Sequence, residues 1–185
     1  MPADPFAMLE ADHRSVEAML KSLSESEPGN GRDALVDKLA TAFEAHASFE
    51  EEAVYPLVPA AMGAKKEEEA ENEHRLTREG IQKLREMASQ PGFGAAVEML
   101  EAGIGHHVEE EEGEMFPALR RATDDAVKEQ LMAELRDSKA RDGLPLVDPD
   151  VVTKEDLMSA AAAVGIEGRS SMTKEQLADA IGRAG

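Results

Sequence analysis

Apolar residues recur every three or four positions along most of the chain, the period of a helix with one buried face. On a first segment they fall at Phe6, Leu9, Val16, Leu20 and Leu23, and on a second at Leu35, Leu39, Phe43 and Val54. A third carries Ile81, Leu84 and Ala88, and a fourth Phe93, Val97, Leu100, Ile104 and Met115. Turn-forming clusters at residues 28–31, 56–63 and 91–94 separate these segments. Pro117 interrupts or bends the fourth, and a short helix is expected over residues 124–139. Helices of about 20 residues run roughly 30 Å, the length of an up-down bundle. The pattern predicts an all-α fold: an up-down four-helix bundle, an extra helix and a small helical C-terminal tail.

Several stripe positions break the apolar rule. His13 completes the row Leu9, His13, Val16, Leu20, and His46 and Glu50 continue Leu39 and Phe43. His74 leads into Thr77, Ile81 and Leu84, and His107 and Glu111 continue Leu100 and Ile104. Residues four apart on a helix share a face. Each predicted helix therefore aims one imidazole at the common core, and two add a carboxylate one turn later. Burying that set uncompensated would cost several kcal/mol per charge, a conflict that a bound cation removes.

The chain also repeats itself at an offset of 61 residues. Asp12-His13-Arg14 is echoed by Glu73-His74-Arg75, and His46 with Glu50 by His107 with Glu111. Tyr55-Pro56 is echoed by Phe116-Pro117. Two helical hairpins related by duplication, packed with pseudo-two-fold symmetry, account for this. Four imidazoles and two carboxylates suit a pair of first-row transition metals; zinc fits the ligand types, but a paired site with carboxylate bridges argues more for redox-active iron. In the expected arrangement each iron takes two histidines, the two glutamates bridge, and an oxo or hydroxo bridge completes five-coordinate ions with a vacancy for oxygen, peroxide or nitric oxide.

The remaining polar residues divide differently. His106 lies off the stripe and has Ala45 as its counterpart, so it falls outside the set. Glu51 and Glu112 adjoin ligand candidates and are candidates for supporting them. The other acidic residues around them form a solvated face. Tyr55, the chain's one tyrosine, can hydrogen-bond a bound oxygen species or carry a radical; the competing reading is a packing residue at the hairpin end, as Phe116 in the matching place suggests.

Composition narrows the class. The 185 residues include 39 acidic and 20 basic ones, a formal charge of −19, which disfavours nucleic acid as a partner. No cysteine is present, so thiolate sites and disulfides are excluded. No apolar run approaches the roughly 18 residues of a membrane span, and no signal core opens the chain, so a cytoplasmic location is expected.

His13, then His46-x3-Glu50-Glu51 with Tyr55-Pro56, then His74, then His107-x3-Glu111-Glu112 with Phe116-Pro117 resembles the hemerythrin family in its HHE cation-binding branch, over residues 4–120. The resemblance implies a four-helix bundle around a non-heme di-iron centre, with His13, His46, Glu50, His74, His107 and Glu111 as the iron ligands. Oxygen-carrying hemerythrins use a further histidine one turn from that of the third helix; here those positions are Ala70 and Arg78. The carriers also place an aspartate where this chain has Glu112. With fewer nitrogen ligands, the centre is expected to react with peroxide or oxygen rather than carry oxygen reversibly. Relatives in this branch have been linked to peroxide breakdown, nitric oxide handling and iron or oxygen sensing.

The domains expected are a bundle with its following helix over 1–141, a linker over 142–149 and a small module over 150–185. Thr153 and Thr173 each open a helix start with capping-box character, and the module resembles helix-extended-helix domains of the SAP and Rho N-terminal type. From Leu144 onward it holds 4 basic and 7 acidic residues and no aromatic, which favours contact with a protein over nucleic acid. The function expected is a catalase-like reaction with hydrogen peroxide in oxidative or nitrosative stress defence. The alternative is a non-enzymatic sensor or carrier of oxygen, nitric oxide or iron, with the tail contacting a partner.

Overall fold

A computed structural model describes residues 4–144, 166, 168–173 and 176. Four long helices form the body: α1 (Pro5–Ser24), α2 (Asn30–Phe49), α4 (Ala64–Met87) and α5 (Phe93–Glu110). Between and after them lie α3 (Val58–Met62), α6 (Phe116–Ala122) and α7 (Asp125–Arg141). The long helices close a ring in which α1 packs on α2 and α5, and α4 packs on α2 and α5. This is the expected bundle, with α7 laid against α1 and α2 as the extra helix.

Local chemistry sets the boundaries. Asp4 caps α1 by accepting from the Phe6 N–H at 3.2 Å, with Pro5 in the first turn where its missing N–H costs nothing. Asp124 caps α7 by accepting from the Val127 N–H at 2.9 Å. Gly63 and Gly92 turn the chain into α4 and α5 with φ of 97° and 92°, a region that disfavours side chains.

Two elements differ from the sequence expectation. The stretch 56–63 is not a break over its length: the chain stays helical through Met62 and turns only at Gly63. Ahead of Pro56 the helix widens into a π-helical turn, Glu50–Val54, in which the Tyr55 N–H donates to the Glu50 carbonyl. The second hairpin does the same at Glu111–Met115, where the Phe116 N–H donates to the Glu111 carbonyl. Each widened turn admits a proline, which would clash inside a regular α-helix, and turns Tyr55 and Phe116 back toward the core. The second difference lies in α2, whose most buried aliphatic in the first turns is Val36, while Leu35 sits at the edge of the core.

The interior consists of two apolar clusters. One gathers Phe6, Leu9, Tyr55, Phe116, Leu119 and Leu135, the other Leu20, Leu39, Leu84, Val97 and Ile104. Between them lies a layer of buried His13, His46, Glu50, His74, His107 and Glu111. Among the described residues, no helix is long and apolar enough to cross a membrane. In the tail, the Gln176 N–H donates to Thr173 Oγ1 and the Thr173 N–H to Gln176 Oε1, the reciprocal capping box expected there. Thr153 and most of the module expected over 150–185 lie outside the described residues.

Candidate metal centre

The six stripe residues meet. His13 from α1 and His46 from α2 bring their Nε2 atoms to 3.2 Å, and His74 from α4 and His107 from α5 bring theirs to 3.1 Å. Glu50 joins the two pairs: its Oε2 lies 2.9 Å from His46 Nε2 and 3.4 Å from His74 Nε2. Glu111 Oε2 lies 3.3 Å from both His107 Nε2 and His13 Nε2. Each carboxylate therefore spans the two hairpins. His13, His46, Glu50 and Glu111 form one group that could hold a metal ion, and His46, Glu50, His74 and His107 form an overlapping one.

On three of the four rings the opposite nitrogen explains why Nε2 faces the centre as an acceptor. His13 Nδ1 donates to Glu112 at 2.8 Å, His74 Nδ1 to Glu51 at 3.0 Å and His107 Nδ1 to Glu73 at 2.9 Å. A proton fixed on Nδ1 leaves a lone pair on Nε2. On His74 and His107 two such lone pairs face each other at 3.1 Å and repel unless a cation lies between them. Glu50 is fully buried and both of its oxygens lack a hydrogen-bond donor, as does Glu111 Oε2. Buried, unsatisfied carboxylate oxygens beside imidazole lone pairs form a mixed nitrogen and oxygen donor set suited to divalent transition metals. The residues fit such ions.

Without a metal, protons take that place. Burial opposes the charged form of His46, yet Glu50 and Asp12 outweigh it and push its pKa up to about 10. Burial likewise opposes protonation of His107, and Glu111 and Glu73 push it up to about 10. Burial would raise the Glu111 carboxyl, but His107 and His13 hold it well below the usual range.

Tyr55 reaches the same layer. Its hydroxyl donates to Glu111 Oε1 at 2.8 Å, lies 3.1 Å from His74 Nε2, and its ring stacks on His74. Phe116 stacks on His13 in the matching place but carries no hydroxyl. Burial, then the charges of Glu50 and Glu111, raise the Tyr55 pKa well above 10.0, so the phenol stays a donor. The packing role and the polar role thus coincide in one side chain.

The outer carboxylates are themselves braced. Arg14 pairs with Glu112, and Arg78 holds Glu51 at 2.7 Å. Lys139 of α7 holds Asp12 at 2.5 Å. Sequence reasoning singled out Glu51 and Glu112 but not Asp12, Glu73 or Lys139. For Asp12 and Glu73 the signal was present in the repeated acidic-His-Arg triplet. His106 stays on the surface beside Glu73 and Glu110, and takes no part in the buried set.

A helical bundle whose core is interrupted by a buried histidine and glutamate layer defines a metal-binding bundle protein. The model of the hemerythrin HHE cation binding domain matches residues 4–119, and the chain belongs to that family. A crystal structure of a hemerythrin HHE cation binding domain-containing protein, the Rv2633c homolog from Mycobacterium kansasii, is similar at a TM-score of 0.66. It shares 23% identity over 98% of each chain, a likeness that shows the fold. No curated protein matches this chain.

Proposed function

We propose that the chain is a cytoplasmic non-heme di-iron protein that breaks down hydrogen peroxide, with His13, His46, Glu50, His74, His107 and Glu111 as the metal ligands. The observation that carries this reading is the convergence of four Nε2 atoms, in two pairs, on two carboxylates that have unsatisfied oxygens. Two iron ions joined by an oxo or hydroxo bridge would supply the two-electron redox chemistry. In a catalase-like reaction one peroxide is oxidised to dioxygen and a second is reduced to water, so electrons and protons balance without an outside reductant.

The chain's own residues prepare the layer. Glu51, Glu73 and Glu112 fix the tautomer and direction of three rings. Tyr55 keeps a hydroxyl beside Glu111 as a hydrogen-bond donor. The apolar clusters on either side shield the layer from bulk water.

A second reading, a sensor of oxygen, nitric oxide or iron, is favoured by one contact. Lys139 on α7, the helix that precedes the C-terminal tail in sequence, bonds Asp12 at the edge of the site. The test is metal content by elemental analysis, followed by dioxygen release from peroxide. About two irons per chain with sustained release supports the enzyme. Two irons with stoichiometric binding and no turnover favours the sensor. One zinc per chain removes the redox reading.

A further inference from the structure

The four histidines do not receive equal support. Three donate Nδ1–H to a carboxylate at 2.8–3.0 Å. The fourth, His46, is buried, and its Nδ1 has no hydrogen-bond partner. By the internal repeat its partner is Asp12, the counterpart of Glu73, which serves His107. Asp12 is present, but its Oδ2 stands 3.7 Å from His46 Nδ1, beyond hydrogen-bond reach. The same oxygen lies 2.5 Å from Lys139 Nζ. Lys139 is buried, and it belongs to α7, beyond the residues 4–119 that the family model matches.

We propose that Lys139 is a positioning residue that withholds Asp12 from His46 and so makes the two metal positions unequal. The inference rests on the metal-binding reading above. A carboxylate on the outer nitrogen makes a ligating imidazole a stronger donor, and losing one typically costs about 10–100-fold in metal affinity. The position served by His74 and His107 has both rings supported. The position served by His13 and His46 has one. The second is the weaker-binding, more electron-poor of the two. A helix outside the family's bundle thereby gains a hold on one metal and not the other.

Stepwise binding of Co2+ to the metal-free full-length protein, followed by calorimetry and by cobalt d–d absorption, tests this. The native chain should bind two equivalents with affinities about 10-fold or more apart. Lys139→Met should tighten the weaker step and bring the two within about 3-fold, while Lys139→Arg keeps them apart. Adding Asp12→Asn should cancel the gain in the Lys139→Met background. Unchanged separation in Lys139→Met overturns the proposal. So does equal loosening of both steps with a lower melting temperature, which is what a purely structural lysine would give. Absence of Co2+ binding by the native chain would instead sink the metal reading.

Discussion

The Tyr55 hydroxyl donates to Glu111 at 2.8 Å, and among the described residues no hydroxyl does the same for Glu50 in the other half of the bundle. Phe116 holds the matching place, so at this pair of fully buried positions the duplicated halves differ by one hydroxyl. That asymmetry assigns Tyr55 to the Glu111 side of the centre.

Tyr55→Phe should therefore leave the fold and metal content intact while changing the chemistry. The Glu111 oxygen loses its donor, so the metal-free protein should lose about 1–3 kcal/mol of stability, readable by chemical denaturation. In the iron-loaded protein, peroxide turnover should fall by about tenfold or more, in the range typical of a lost proton donor. Turnover equal to the native rate would reduce Tyr55 to a packing residue.

Glu50 and Glu111 each touch one imidazole from each hairpin, so neither can be removed without affecting both metal positions. Glu50→Gln and Glu111→Gln should each reduce metal content from about two ions per chain to one or fewer. An amide replaces an anionic oxygen donor with a neutral one that hard cations bind poorly. Helical content by circular dichroism should persist, because the apolar clusters above and below are untouched. Full retention of two metals in either variant would show that the carboxylate does not bridge.

Much of this site is legible from periodicity. The stripe positions of His13, His46, His74 and His107 place them in the core, where all four are buried, and the repeat relates His13 to His74 and His46 to His107. The supporting carboxylates are harder to read. A residue next to a helical ligand lies about 100° round the helix, facing a neighbouring helix rather than its own ligand. Hence Glu73 bonds His107 on the second helix of its own hairpin and Asp12 faces His46 in the same way without reaching it, while Glu51 and Glu112 cross between hairpins. Lys139 leaves no such trace, since its reach to Asp12 depends on how α7 docks, a tertiary fact. The π-helical turns are half visible: a proline six residues beyond each buried glutamate demands a local departure from α geometry without saying which.

Acidity should separate the metal-free and metal-loaded proteins. In the metal-free chain His46 and His107 have pKa values of about 10, against 6.5 for an unperturbed histidine. The folded state then holds more protons than the unfolded state between those values. Stability from these two groups is fully present below about pH 6.5 and is lost as pH rises toward 10. Glu50 and Glu111 have lowered pKa values, so their contribution is present above 4.5 and is lost as pH falls below it. The metal-free protein should accordingly melt highest between about pH 4.5 and 6.5 and progressively lower toward pH 9. A bound metal displaces the imidazole protons, so its affinity rises with pH and it holds the fold where the protons no longer do. The difference in melting temperature between loaded and metal-free protein should therefore widen from pH 6 to pH 9. The loaded form controls for general repulsion among the acidic surface residues, which both forms share. Calorimetric melts across that range decide the matter. A metal-free melting temperature that stays level from pH 6 to 9 would mean that His46 and His107 are neutral in the folded chain, and that metal binding releases no protons from them.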